Sequence, residues 1–102
     1  MKYYVYILKT IDDKLYCGIA KDVLKRFEEH LDTSKNSKGA KFTKAHKPKE
    51  IVFANSFETK SEAMKEEYRI KKTLSRKEKI ELIENNLQHT KKLLNSLSML
   101  VD

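Results

Sequence analysis

Residues 2–19, KYYVYILKTIDDKLYCGI, decide how the rest of the chain is arranged. Large apolar and aromatic residues alternate from Tyr3 to Thr10, turn chemistry follows at Ile11, Asp12, Asp13 and Lys14, and the alternation resumes from Leu15 to Ala20. A period of two broken by a short polar run is the pattern of a β-hairpin. On such a strand Tyr4, Tyr6 and Leu8 share one face, and Tyr3, Val5 and Ile7 share the other. If paired residue numbers sum to an even value, as a three-residue loop centred on Asp12 requires, Tyr6 and Tyr16 fall on the same face. Two phenols then converge above one sheet.

Downstream of the hairpin, Asp22 is placed to cap a helix whose apolar positions Val23, Leu24, Phe27 and Leu31 form one stripe, ending near Leu31. Arg26 and His30 sit together on the border of that stripe, where they either face a site at the sheet's edge or pair as surface residues with Glu29 or Asp22. Between Asp32 and Glu50 the chain carries lysines at 35, 38, 41, 44, 47 and 49 and no acid. With Gly39, Pro48 and several small polar residues the segment reads as a loop, its ammonium groups either tracking phosphates or simply solvated. Phe42 within it is a base-stacking or a core aromatic.

Residues 51–57 form a third strand, with Ile51, Phe53 and Phe57 on one face and Val52 and Ala54 on the other. Thr59 with Glu62, and Ser75 with Glu78, are capping boxes that open two further helices. The expected architecture is a small α/β (α+β) domain, a three-stranded antiparallel sheet flanked by helices in the order ββαβαα. In the second helix, taking Ala63 as zero, Ile70, Leu74, Glu67 and Lys71 all lie between about −20° and +80°, with Met64 near 100°, so Glu67 stands inside the apolar stripe. A carboxylate aimed at a sheet is costly unless a cation or a metal meets it, so Glu67 either ligates a metal or pairs with Lys71 or Arg26. Leucines continue to Leu100 past a plausible break at Asn85 and Asn86. Residues 1–84 are expected as one domain and 85–102 as a helical extension packed on that domain, on a partner protein or on a second copy.

The 102 residues suffice for one domain with a modest core. A single cysteine permits no internal disulfide and no cysteine-based metal site, and His30, His46 and His89 lack ligand spacing, so a zinc site is not expected. No apolar run is long enough for a membrane and no N-terminal signal pattern is present, so a soluble cytoplasmic protein is expected. Lys and Arg total 22 against 15 acidic residues, a formal charge of +7, which favours a polyanionic partner such as DNA or RNA.

Tyr4-Val5-Tyr6, followed by Tyr16-Cys17-Gly18, resembles the paired motif of the GIY-YIG nuclease superfamily. Arg26 and His30, then Gly39-Ala40-Lys41-Phe42-Thr43, then Glu67 follow in that family's order, and residues 2–84 are most similar to its small stand-alone branch. Tyr4 stands where the motif has glycine and Cys17 where it has isoleucine. The resemblance implies a metal-dependent endonuclease that hydrolyses phosphodiester bonds, most simply in DNA, with Mg²⁺ or Mn²⁺ held by Glu67. The implied catalytic set is Tyr6, Tyr16, Arg26, His30 and Glu67. Gly18 is implied as a structural glycine allowing close backbone approach, and Lys35, Lys38, Lys41, Lys44, Lys47 and Lys71 as nucleic-acid contacts. Arg26 would clamp the scissile phosphate with its rigid fork of donors. Tyr6 or Tyr16 would position water or take its proton, helped by cations that lower a phenol pKa of about 10, or His30 would relay the proton instead. The alternative is a non-catalytic nucleic-acid-binding module with the same fold.

Overall fold

The computed structural model describes residues 2–32 and 41–99. Two strands, β1 (Tyr3–Thr10) and β2 (Leu15–Ala20), form the expected hairpin, and β3 (Pro48–Phe57) joins the other side of β1 in an antiparallel sheet of order β2-β1-β3. Tyr6 pairs with Gly18 and Leu8 with Tyr16, so paired numbers sum to an even value and both phenols occupy one face. The turn explains the register. The Thr10 amide donates to Lys14 O and the Asp13 amide to Thr10 O, while Asp13 adopts φ 63°. A three-residue hairpin loop needs one residue in this left-handed region, which aspartate tolerates better than most side chains.

The helices are α1 (Val23–Leu31), the short α2 (Lys41–Ala45), α3 (Lys60–Thr73), α4 (Arg76–Asn85) and α5 (Leu87–Met99). Asp22 caps α1 by accepting from the Lys25 amide, Thr59 caps α3 from the Glu62 amide, and Ser75 with Glu78 completes a reciprocal capping box on α4. The order ββαβαα is thus present, with α2 added in a segment that reads as loop and α5 as the C-terminal helix. Lys41 to Ala45 coils because its residues dock on the hairpin, a tertiary contact that local loop composition does not announce.

β3 starts at Pro48, earlier than expected, at the first position of an edge strand, where a missing N–H costs least. It also corrects the expected face of Ile51. Ile7 pairs with Phe53 but Leu8 pairs with Ile51, a bulge that turns Ile51 to the Tyr6 face and leaves Val52, expected beside Ala54, on the opposite face with Phe53 and Phe57. Two cores result. Val5, Ile7, Cys17 and Phe53 meet Ala63 and Ile70 of α3, with Leu82 and Ile83 of α4 alongside. On the other face Tyr4, Tyr6, Leu8 and Ala54 meet Val23 of α1, with Phe27 and with Leu93, Leu94 and Leu97 of α5. The chain therefore wraps around the β3 edge between α4 and α5, and the Ala54 amide donates to Thr90 Oγ1 at 3.2 Å. That bond satisfies an edge group which would otherwise seek another strand.

Candidate active site

Tyr6 is central to the site and is 2% exposed. It points over β2 because its cross-strand partner is Gly18. A Cβ at Gly18 would stand 2.5 Å from the Tyr6 hydroxyl oxygen and 2.6 Å from Cζ, so only glycine leaves the ring its place. From there the Tyr6 hydroxyl shares a 2.9 Å hydrogen bond with His30 Nε2, and His30 Nδ1 shares one of 2.7 Å with Thr43 Oγ1. Arg26, one helical turn before His30, also donates to the Tyr6 hydroxyl and pairs with Glu29 at 3.2 Å. Arg26 thus makes the Glu29 pair and also lies against the Tyr6 hydroxyl. The apolar stripe of α1 runs through Val23 and Phe27 to His30, which is fully buried, while Leu31 is exposed.

Burial pushes the Tyr6 phenol well above its ordinary 10.0, and Tyr16 adds to the shift, while Arg26 opposes it without prevailing. This corrects the expectation that neighbouring cations lower the phenol pKa: desolvation disfavours the anion more than Arg26 favours it. Burial, and next the Arg26 charge, push His30 down to about 4, so its ring is neutral at neutral pH. A neutral imidazole has one donor and one acceptor nitrogen, which gives the Tyr6–His30–Thr43 chain a direction. Either Tyr6 donates to Nε2 and Nδ1–H donates to Thr43, or Thr43 donates to Nδ1 and Nε2–H donates to Tyr6. Burial works against the charge on Arg26, yet Glu29 and Tyr6 outweigh it and hold the guanidinium protonated.

Tyr16 lies half-buried on the edge strand β2, its ring 5.2 Å from that of His30. Phe42 of α2 stacks on it at 5.6 Å and 23°, and His46 lies on Phe42 at 4.6 Å. Phe42 is thus a half-buried wall of the site and belongs to neither core. His46 Nδ1 and Asp12 Oδ2 approach to 2.6 Å, and the Ile11 amide donates to Lys47 O, so α2 is fastened to the hairpin turn as well as to His30. Lys41, Lys44 and Lys47 are exposed along this segment. Lys35 and Lys38 lie outside the described residues.

Glu67 arrives from α3, on the other layer. It is half-buried beside Ala63 and Ile70, as its helical position requires, and Lys71 Nζ stands 3.8 Å from it. The same ammonium lies 5.7 Å from the centre of the Tyr16 ring, so Lys71 links the carboxylate to the phenols around the β2 edge. Among the described residues no three His, Cys, Asp or Glu cluster together. The donor a metal would meet here is the Glu67 carboxylate, which borders an open surface of α3. A hard ion that keeps several waters and takes its other ligands from substrate phosphate fits that donor, whereas zinc, which takes three or four protein ligands, does not. Cys17 faces the all-apolar core, and burial, with Glu67 adding to it, pushes its thiol up to about 12, which makes it inert as a nucleophile.

Thr43 and Phe42 are the site residues that motif reading did not assign. Thr43 is fully buried, and the one local signal for it is a hydroxyl within a lysine-rich stretch.

The hairpin thus presents two tyrosines, the next helix an arginine and a histidine, and a later helix a glutamate, in the order that the GIY-YIG nuclease motif has them. Residues 2–81 match the model of the GIY-YIG catalytic domain, and the chain belongs to that family. It is 49% identical over 82 residues to a UPF0213 protein of Staphylococcus saprophyticus, covering 80% of this chain and 94% of that one. A UPF0213 protein of Staphylococcus aureus is 47% identical over 81 residues, 79% of this chain and 93% of the relative. The solution NMR structure of a UPF0213 protein from Bacillus halodurans superposes with a TM-score of 0.54 at 34% identity, covering 85% of this chain and 87% of the other. α5 lies beyond the family match. Among the described residues no helix is long and apolar enough to cross a membrane.

Proposed function

We propose that this protein is a metal-dependent endonuclease acting on DNA, with Tyr6, Tyr16, Arg26, His30 and Glu67 as its working residues. The observation that carries the reading is the convergence of Tyr6, Arg26 and His30 in one hydrogen-bonded group beside Tyr16, with Lys71 connecting that group to Glu67. A module that only binds nucleic acid has no use for a half-buried carboxylate across from two phenols.

Glu67 would hold Mg²⁺ or Mn²⁺, which when bound supplies charge neutralisation at the phosphate and leaving-group oxygens. Arg26 grips the scissile phosphate, its fork already oriented by Glu29 and Tyr6. Tyr6 is buried and held protonated, so its part is to position Arg26 and His30, whose other ring nitrogen Thr43 holds. Tyr16 is the phenol that reaches the accessible edge, under the Lys71 ammonium, and orients the attacking water there. Lys41, Lys44, Lys47 and Lys71, with Lys35 and Lys38 from the preceding segment, contact the backbone phosphates.

The test is cleavage of plasmid, single-stranded, flap and branched DNA and of RNA with Mg²⁺ or Mn²⁺, against Glu67→Ala. The expected result is loss of cleavage in the variant with DNA affinity kept within about threefold, since lysines supply the binding. Full activity in Glu67→Ala would remove its metal role. Salt-sensitive binding with no metal-dependent turnover on any substrate would establish the binding module instead.

A further inference from the structure

The outer face of α3 carries a feature that the phosphodiester chemistry does not require. Met64 and Tyr68, one helical turn apart, are 52% and 63% exposed. Single exposed apolar side chains are ordinary. These two are adjacent on an open surface of α3 and are bordered by four lysines of the same helix. At about 100° per residue, Lys60 and Lys71 fall on one side of the Met64–Tyr68 line and Lys65 and Lys72 on the other. The acid on this surface is Glu67, whereas Glu66 is held by Arg69.

An aromatic platform between two rows of ammonium groups matches one polymer chemically. A nucleic-acid strand presents a π-face at each base and a phosphate on either side of it. A base within a duplex keeps its faces stacked on its neighbours and offers a side chain only its edge and its phosphates. An exposed phenol is therefore matched by a base that is already unpaired. The surface also has a direction, because Lys71 borders it, pairs with Glu67 and lies over the Tyr16 ring.

We propose that the Met64–Tyr68 surface of α3 seats an unpaired nucleotide flanking the bond held at Glu67, making single-stranded or flapped nucleic acid the preferred substrate class. This rests on the nuclease reading for the bond at Glu67, but the seat itself is a binding site that is measurable without turnover. Oligonucleotides carrying 2-aminopurine, single-stranded and as a blunt duplex of the same sequence, are titrated with the full chain in EDTA. Stacking on Tyr68 quenches the single-stranded probe. Tyr68→Ala abolishes that quench and weakens single-strand binding about tenfold, leaves duplex binding within about twofold, and Tyr68→Phe restores the parent behaviour because the ring is what stacks.

Equal affinities of parent and Tyr68→Ala for the single strand, or equal losses on both probes, would overturn the proposal. So would a dimer in solution that Tyr68→Ala dissociates while single-strand binding stays unchanged, since a second copy would then cover this face. A Tyr68-dependent quench in a protein that cleaves nothing would leave the seat standing and remove the nuclease reading. Cleavage without any Tyr68 dependence of binding would do the reverse.

Discussion

The two faces of the sheet are built from the same alternating strands and put them to opposite uses. Beneath it, Val5, Ile7, Cys17 and Phe53 meet α3 and α4 in a core of hydrocarbon and one inert thiol. Above it, the area is divided. Toward β3 the leucines of α5 cover Tyr4, Leu8, Ile51 and Ala54, while toward β2 the same face carries Tyr6, His30 and Thr43 in a buried polar chain. A buried polar chain contributes little net stability but is costly to break, because each unpaired group keeps its desolvation penalty. The lower core and α5 therefore hold the fold, and the β2 margin, where the upper polar chain and Glu67 of α3 approach each other through Lys71, is free to hold a polar arrangement.

The sharpest way to break that contrast is at Phe53. Phe53→Ala should cost about 3–5 kcal/mol in urea denaturation while leaving cleavage per folded molecule unchanged. A selective loss of activity would mean that the two faces are not separable. Next in size is the pair of phenols. Tyr16→Phe is expected to lower kcat about a hundredfold with stability unaltered, whereas Tyr6→Phe should lower both, because His30 loses a buried partner. Equal stabilities for the two variants would contradict the division into a buried positioning phenol and an accessible one.

A third test uses pH. The folded-state pKa of His30 is depressed to about 4 from an ordinary 6.5, so the unfolded chain takes up the proton first on acidification. The stability this residue contributes is present above pH 6.5 and is lost as the pH falls toward 4. Denaturation midpoints should drop more steeply over that window for the parent than for His30→Gln, since the carboxylates common to both chains cancel. Parallel profiles would place a charged imidazole in the polar chain. The smallest effect belongs to the β3 edge, where Thr90→Val removes the acceptor of the Ala54 amide and should cost about 1–2 kcal/mol without touching cleavage.

The site was legible in the sequence to the extent that its geometry is local. Arg26 and His30 share a helix border because they stand four residues apart, and Glu67 shows itself as a charge at an apolar angle of α3. Phe42 was not legible as a wall of the site, since its partner Tyr16 lies far away in the chain and an aromatic in a lysine-rich segment suits solvent, core or stack equally. The upward shift of the Tyr6 phenol was hidden for a related reason. Composition reveals the nearby cations, but only the packed structure reveals how completely the hydroxyl is removed from water.

The amino-acid sequence by itself determined the hairpin, the helix caps at Asp22, Thr59 and Ser75, and the order of the strands and main helices, and it tied the even register to a three-residue turn. Those features depend on side-chain period and on hydrogen bonds spanning three or four residues, which the chain carries wherever it folds. Tertiary structure decided the bulge that turns Ile51 to the upper face, the coiling of Lys41 to Ala45 against the hairpin, and the return of α5 over the β3 edge. Each is a contact between segments distant in sequence, and its energy comes from surfaces that exist only once both partners are in place.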